Sequence, residues 1–273
     1  MIGVPRRLTS LVAGLACAAS VAAAAPVTEP RPTLHYTMVT HRFAVADPRH
    51  DPQRDAVDDA QRSPYERSLA RNVEWSYPVF DDARDPATPA LNAWARHESL
   101  KLLLVEVGEA DRQTDAQVIA NAIASQDFID AGVDQAWVQP GAALGRYRGI
   151  TGYSEAIGGS HPWHQVSPLL YDLDRRAEAH VAGLFKPDAD DALKDLFDAQ
   201  PEAACPDAAF EWAQASLNGI DTLTFEYPYR PGRNRQDIDC GLLMIKSPRV
   251  ARLLKSPRRL SPEYTLVEDA PAR

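Results

Sequence analysis

Cysteine is scarce in this sequence of 273 residues, with three in all, and one of them, Cys17, falls inside an apolar run near the amino terminus. That leaves Cys205 and Cys240 as one possible pair. No other apolar run approaches the roughly 20 residues that cross a bilayer as a helix, which excludes a helical membrane span beyond that first run. The common catalytic signatures are missing as well. There is no Gly-x-Ser-x-Gly elbow to present a serine nucleophile, no Gly-x-x-x-x-Gly-Lys loop to cradle phosphates, no dinucleotide glycine fingerprint and no His-Glu-x-x-His pair for zinc. An excess of basic charge is lacking too. The net charge of −9 opposes nucleic acid and anionic membrane surfaces and favours basic partners through long-range steering, simple solubility being the competing account. No internal repeat is found.

What is present is enough apolar residue, 45%, against 25% charged, to bury a full core. Arg6 and Arg7 precede the apolar run Leu8 to Ala24, which ends in small residues as a secretory signal does. Cleavage after Ala24 starts the mature chain at Ala25, and losing the two arginines takes its charge from −9 to −11. Lipidation of Cys17 is the alternative, but Gly14-Leu15-Ala16 lacks the leucine such a site wants three residues upstream. A periplasmic or secreted location follows. An oxidising compartment favours a Cys205–Cys240 disulfide over a metal site or a nucleophile, with two separately buried thiols as the competing arrangement.

Beyond a Pro-rich tether, residues 25–72 read as one strand, Leu34 to Val45, and a charged, Pro-bearing loop. Residues 73–135 form a helix-bearing part. Val73 to Phe80 alternates as a strand, and Pro78 suggests an edge. Thr88-Pro89 starts a helix with Thr88 as N-cap, and Thr114 with Gln117 forms a capping box for a second helix that runs to Gly132 at C′. Residues 136–260 are strand-rich. Pro140-Gly141 separates two strands, Val166 to Leu173 is a buried strand, Ala189 to Ala199 a helix, Asn218-Gly219 a hairpin turn, Cys240 to Ile245 a last strand and Pro248 to Lys255 a basic helix. Residues 261–273 read as a flexible tail. This order of elements predicts an α+β fold with a largely antiparallel sheet and packed helices.

Two stretches are denser than connecting loops need to be. Gly158-Gly159-Ser160-His161-Pro162-Trp163-His164 holds special backbone geometry and three rings that are costly to leave unpartnered. Tyr227-Pro228-Tyr229-Arg230-Pro231-Gly232-Arg233 concentrates the side chains that interfaces favour, and is read equally well as a stiffened connection with Tyr227 in the core. His161 and His164 with Glu155 or Asp172 offer zinc ligands, but the segment is not helical and the rings need not share a side, so neither metal nor cofactor is expected. The paired carboxylates Asp81-Asp82 and Asp190-Asp191 read as solvated surface rather than acid/base machinery.

On these residues the chain resembles the ectodomain of the lysozyme-sensing anti-sigma factor RsiV and the non-catalytic region of PdaC-type peptidoglycan deacetylases. The resemblance runs from Val73 to Phe80 and Ala90-Leu91-Asn92 through Tyr153, the Gly-Gly-x-His loop, Tyr171-Asp172-Leu173 and Leu184-Phe185 to Leu223-Thr224-Phe225, Tyr229 and Gly241. Ser160, Ala182-Gly183 and Asp237 to Cys240 depart from the family pattern. Neither a sigma-binding segment before the signal nor a deacetylase module after residue 246 is recognised, so the family's signalling and enzymatic roles are not carried over. The resemblance implies a non-enzymatic binder or inhibitor of a basic lysozyme-like muramidase, as an immunity protein would be. Its contact would be Gly158, Gly159, His161, Pro162, Trp163 and His164 with Tyr227, Tyr229, Arg230 and Arg233. The alternative is an envelope protein that binds or modifies peptidoglycan, with Glu155, His161 and Asp172 as candidates.

Overall fold

Two long β-rich segments meet first. β1 (Thr33–Ala46) and β2 (Ala70–Asp81) pair antiparallel from His35↔Asp81 to Ala46↔Ala70. The computed structural model describes residues 30–46, 70–156, 163–228 and 240–270. β3 (Gln135–Leu144), β4 (Tyr147–Ala156), β5 (Trp163–Asp172) and the short β6 (Ala177–Ala179) continue the sheet as an antiparallel meander. β2 and β3 are parallel and pair only where Glu74–Ser76 meets Gln135–Trp137, after which they diverge. Pro78 therefore sits where β2 has lost a neighbour, which is the edge its sequence signals. The side chain of Asn92 completes the vacated ladder, accepting from Phe80 N at 2.9 Å and donating to Phe80 O at 3.0 Å.

Residues 261–270 are not a loose tail. β10 (Glu263–Glu268) lies parallel to β1 at Thr33–Tyr36 and antiparallel to β3 at Ala143–Leu144, so β1, β2, β3 and β10 close into a ring. Alternation places Tyr264 and Leu266 against the core, and Arg148 lies 4.7 Å from the Tyr264 ring. The approach of this segment needs Gly145, whose φ is +53° and whose added Cβ would stand 2.0 Å from the carbonyl oxygen of Arg259.

Helices cover one face of the sheet. α1 (Thr88–Leu102) has Ala87 rather than Thr88 at its N-cap; Thr88 sits one position inside and donates its hydroxyl to Asp82 O. A single turn, α2 (Val107–Ala110), leads to α3 (Asp115–Ala124), which carries the expected capping box of Thr114 and Gln117. The second helix does not run unbroken to Gly132. Ser125 leaves helical geometry and accepts from Phe128 N, capping a separate α4 (Gln126–Ala131) that ends on Gly132 at φ +74°. Trp75, Leu91, Leu100, Leu103, Phe128 and Val133 fill the first core between these helices and the sheet. Burial of each large side chain stabilises the fold by about 1.5–3 kcal/mol. Gly152 brings β4 close to the end of α1, where Ser154 Oγ donates to Leu102 O at 3.0 Å.

A second sheet of three antiparallel strands, β7 (Ala215–Gly219), β8 (Thr222–Glu226) and β9 (Leu242–Lys246), forms the other core. It packs with α5 (Asp190–Asp198), α6 (Pro248–Leu253) and the Tyr147–Leu170 end of the first sheet. Asn218-Gly219 does belong to a hairpin, with Ile220 and Asp221 turning between β7 and β8. Pro140-Gly141 does not separate strands: it lies within β3 at a bulge, beyond the last β2 pairing, where proline's missing N–H is not wanted. The cores do not divide at residues 135 and 136 either, because β3, β4 and β5 contribute to both. From Arg31 onward the chain is one compact unit, α+β in class and largely antiparallel. Cys205 and Cys240 form a disulfide joining the turn Pro201–Ala204 to the approach to β9.

Candidate functional site

β4 and β5 stay paired to the last position, Ala156↔Trp163. Of the residues expected to make contact, Gly158, Gly159, His161, Pro162, Tyr229, Arg230 and Arg233 lie outside the described residues, as does the run read as a secretory signal. Trp163, His164 and Tyr227 can be placed, and they go three different ways. Trp163 shares the helix-covered face of the sheet and is half-buried against the first core. Tyr227 is buried in the second core, where its hydroxyl donates to Ala209 O and burial pushes its phenol up to about 12. It is a structural side chain rather than a contact one. His164 is on the opposite face of the hairpin from Trp163, with Nδ1 at 3.4 Å from Glu155 Oε2.

Around His164 the pleat assembles a row that crosses three strands. Trp137 of β3 stands directly opposite Tyr153 of β4, and their rings stack at 5.1 Å and 14°. His164 of β5 is diagonal to Tyr153, with ring centroids 6.2 Å apart. The Tyr153 hydroxyl donates to Glu226 Oε2 at 2.7 Å. Burial first, then that bond and the carboxylate charge, push the phenol well above its ordinary range, so it remains a donor at any physiological pH. Glu226 ends β8 and precedes Tyr227, whereas Tyr153 lies three residues before the end of β4. One hydrogen bond thus ties together the strand ends from which the two dense stretches depart.

Beside Glu226, β9 turns two large apolar side chains outward. Leu242 pairs with Glu226 and Met244 with Thr224, and they are 38% and 47% exposed. The resulting surface brings together aromatic rings, two carboxylates and uncovered apolar side chains. Trp137, Glu226, Leu242 and Met244 escape sequence reasoning: each sits in an ordinary strand, and four successive apolar residues from Leu242 to Ile245 do not say which two face out.

The alternative chemical set does not converge. Glu155 pairs with His164 at one end of the β4–β5 ladder, and Asp172 pairs with Tyr147 at the other, eight positions along β4 or roughly 27 Å away. Asp172 is 1% exposed and caps the following turn, accepting from Asp174 N at 2.9 Å and Arg175 N at 3.3 Å. Among the described residues no three potential metal ligands cluster, and no helix is long and apolar enough to cross a membrane.

No family model matches this chain, and no curated protein does. Among solved structures it is similar to a DUF3298 family member from Bacteroides fragilis, at 15% identity over 84% of this chain and 97% of that one, with a TM-score of 0.46. It is likewise similar to a DUF3298 family protein from Pseudomonas aeruginosa, at 14% identity over 84% of this chain and 96% of that one, with a TM-score of 0.48.

Proposed function

We propose that this chain is a periplasmic protein-binding domain that captures a basic, lysozyme-like peptidoglycan hydrolase and inhibits it by occupation rather than by chemistry, as an immunity protein would. The observation that carries the reading is the Tyr153–Glu226 hydrogen bond, which holds the roots of both dense stretches together beside Glu155, His164, Leu242 and Met244. The motif resemblance to the lysozyme-sensing ectodomain supplies the class of partner. The net charge of −9 supplies the steering, and carboxylates at the contact favour a cationic partner over a neutral one. A rooted surface loses little conformational entropy on docking.

Calorimetric titration of the mature protein against a panel of basic muramidases tests this. The expected result is submicromolar binding at low salt that weakens as salt rises, with loss of hydrolase activity at matching stoichiometry. The double variant Glu155→Gln, Glu226→Gln should bind at least tenfold more weakly at low salt, a change of about 1.4 kcal/mol or more, and lose much of the salt dependence. Folded protein that binds none of the panel would sink the proposal.

A further inference from the structure

Where β2 and β3 diverge, the sheet face opposite the helices carries a groove of about 510 Å³, within the range of small-molecule sites of about 300–1,000 Å³. Its floor includes Trp137. One face of that indole is covered by Tyr153, whereas the residue across the ladder on the β2 side is Ser76, too small to cover the other. The groove is long as well. Glu74, bonded to Arg42, marks one end, and Glu268, bonded to Tyr36, marks the other; six positions of β1 separate them, or roughly 20 Å.

The polar groups between those ends are uncommitted. Trp137 Nε1, the amides of Gln135 and Gln139 and the hydroxyl of Thr40 have no side-chain hydrogen-bond partner among the described residues, and none is a buried orphan. An open aromatic face beside a row of neutral donors and acceptors suits a ligand with an apolar ring face and a hydroxyl-rich edge. The terminal carboxylates oppose an anionic one.

From this geometry we infer a saccharide site: the groove over Trp137 takes a neutral, extended oligosaccharide, one ring stacked on the indole and neighbouring hydroxyl or acetamido groups bonded to Gln135, Gln139 and Thr40. The site adjoins the hydrolase contact through the Trp137–Tyr153 stack, but oligosaccharide binding is measured without any hydrolase, so its failure and that of hydrolase capture are distinguishable.

Titration of the folded protein with soluble N-acetylglucosamine oligomers, followed by intrinsic tryptophan fluorescence and by calorimetry, tests it, with polygalacturonate as the anionic comparison. Saturable binding of the neutral oligomers is expected at millimolar concentrations or below. It should weaken at least tenfold in Trp137→Ala and in the double variant Gln135→Ala, Gln139→Ala. The double variant changes side chains with no side-chain hydrogen bond among the described residues, so it carries the test if loss of the Trp137–Tyr153 stack prevents folding. Absence of saturable binding by the wild type, unchanged binding in the double variant, or preference for polygalacturonate would each overturn the inference.

Discussion

Asp115→Ala is expected to cost the protein about 3 kcal/mol of stability, a fall in Tm of roughly 10 °C for a chain of this size, although Asp115 is part of neither proposed contact. The carboxylate is where four elements meet. Its Oδ2 accepts from Tyr77 of β2 at 2.7 Å and bonds His41 Nε2 of β1 at 2.8 Å, and its Oδ1 accepts from Arg96 Nε of α1 at 2.9 Å, while Asp115 itself opens α3. Around them Trp75 is wholly buried, bonded through Nε1 to Ser99 Oγ and stacked on His41. Removing the carboxylate leaves Arg96 Nε and the Tyr77 hydroxyl without their acceptor, Arg96 keeping its bonds to the Gln113 and Ala110 carbonyls. Burial acts to raise the Asp115 carboxyl, but the bonds from Tyr77, Arg96 and His41 outweigh it and hold the group below its ordinary range. A lowered folded-state value means that its stabilisation is present in full above the unfolded value of about 3.9 and is lost as pH falls through the folded one. Wild type and Asp115→Ala should therefore converge in Tm at acid pH. A constant difference between them from pH 7 to pH 2 would show that the loss is packing rather than charge.

Removing the disulfide should have an effect of similar size. The bond closes a loop with a sequence separation of 35, worth about 4 kcal/mol in the chain-entropy model. The double variant Cys205→Ser, Cys240→Ser should show that loss in chemical denaturation, and reduced wild type should match it. The damage is expected to be local at first, because Cys205 is buried beside the second core while the first core holds neither residue. Hydrogen exchange should quicken in β8 and β9 before β1 and β2. Equal quickening everywhere would mean that the two cores unfold as one.

Much of the architecture was legible in the sequence because local signals and tertiary demands coincide there. The Thr114–Gln117 box and Gly132 mark real helix ends, and the apolar alternation of Val73, Trp75 and Tyr77 faces a real core. Ser125 was not legible as a break, since a serine between Ala124 and Gln126 reads as helix surface until its hydroxyl is seen capping Phe128. Pro140 misleads for a converse reason: the rule against proline in a strand concerns ladders on both sides, and β3 has lost one of them by that point. β10 was hidden by brevity, because six residues after a run of prolines and arginines look like a terminus, and only pairing with β1, far away in sequence, makes them a strand. The site divides in the same way. Tyr227 and Trp163 announce importance by residue type; the structure places Tyr227 in the second core and packs Trp163, half-buried, against the first. Trp137 is unremarkable in sequence and becomes conspicuous only because Ser76 stands across from it.

The ring of β1, β2, β3 and β10 also orders events in time. Thr33 finds its partner in Thr265, 232 positions later. At synthesis rates of about 5–20 residues per second, that interval is roughly 10–50 s during which β1 has emerged and its last neighbour has not. A chain that appears amino terminus first, from a ribosome or from a translocation pore, must hold its first-made strand with one edge open until nearly everything else has followed. Through that wait β1 has β2 alone, and its free edge is available to any other extended segment. A holding chaperone that recognises exposed strand edges should therefore engage nascent chains ending before residue 263 and release them once Glu268 is clear.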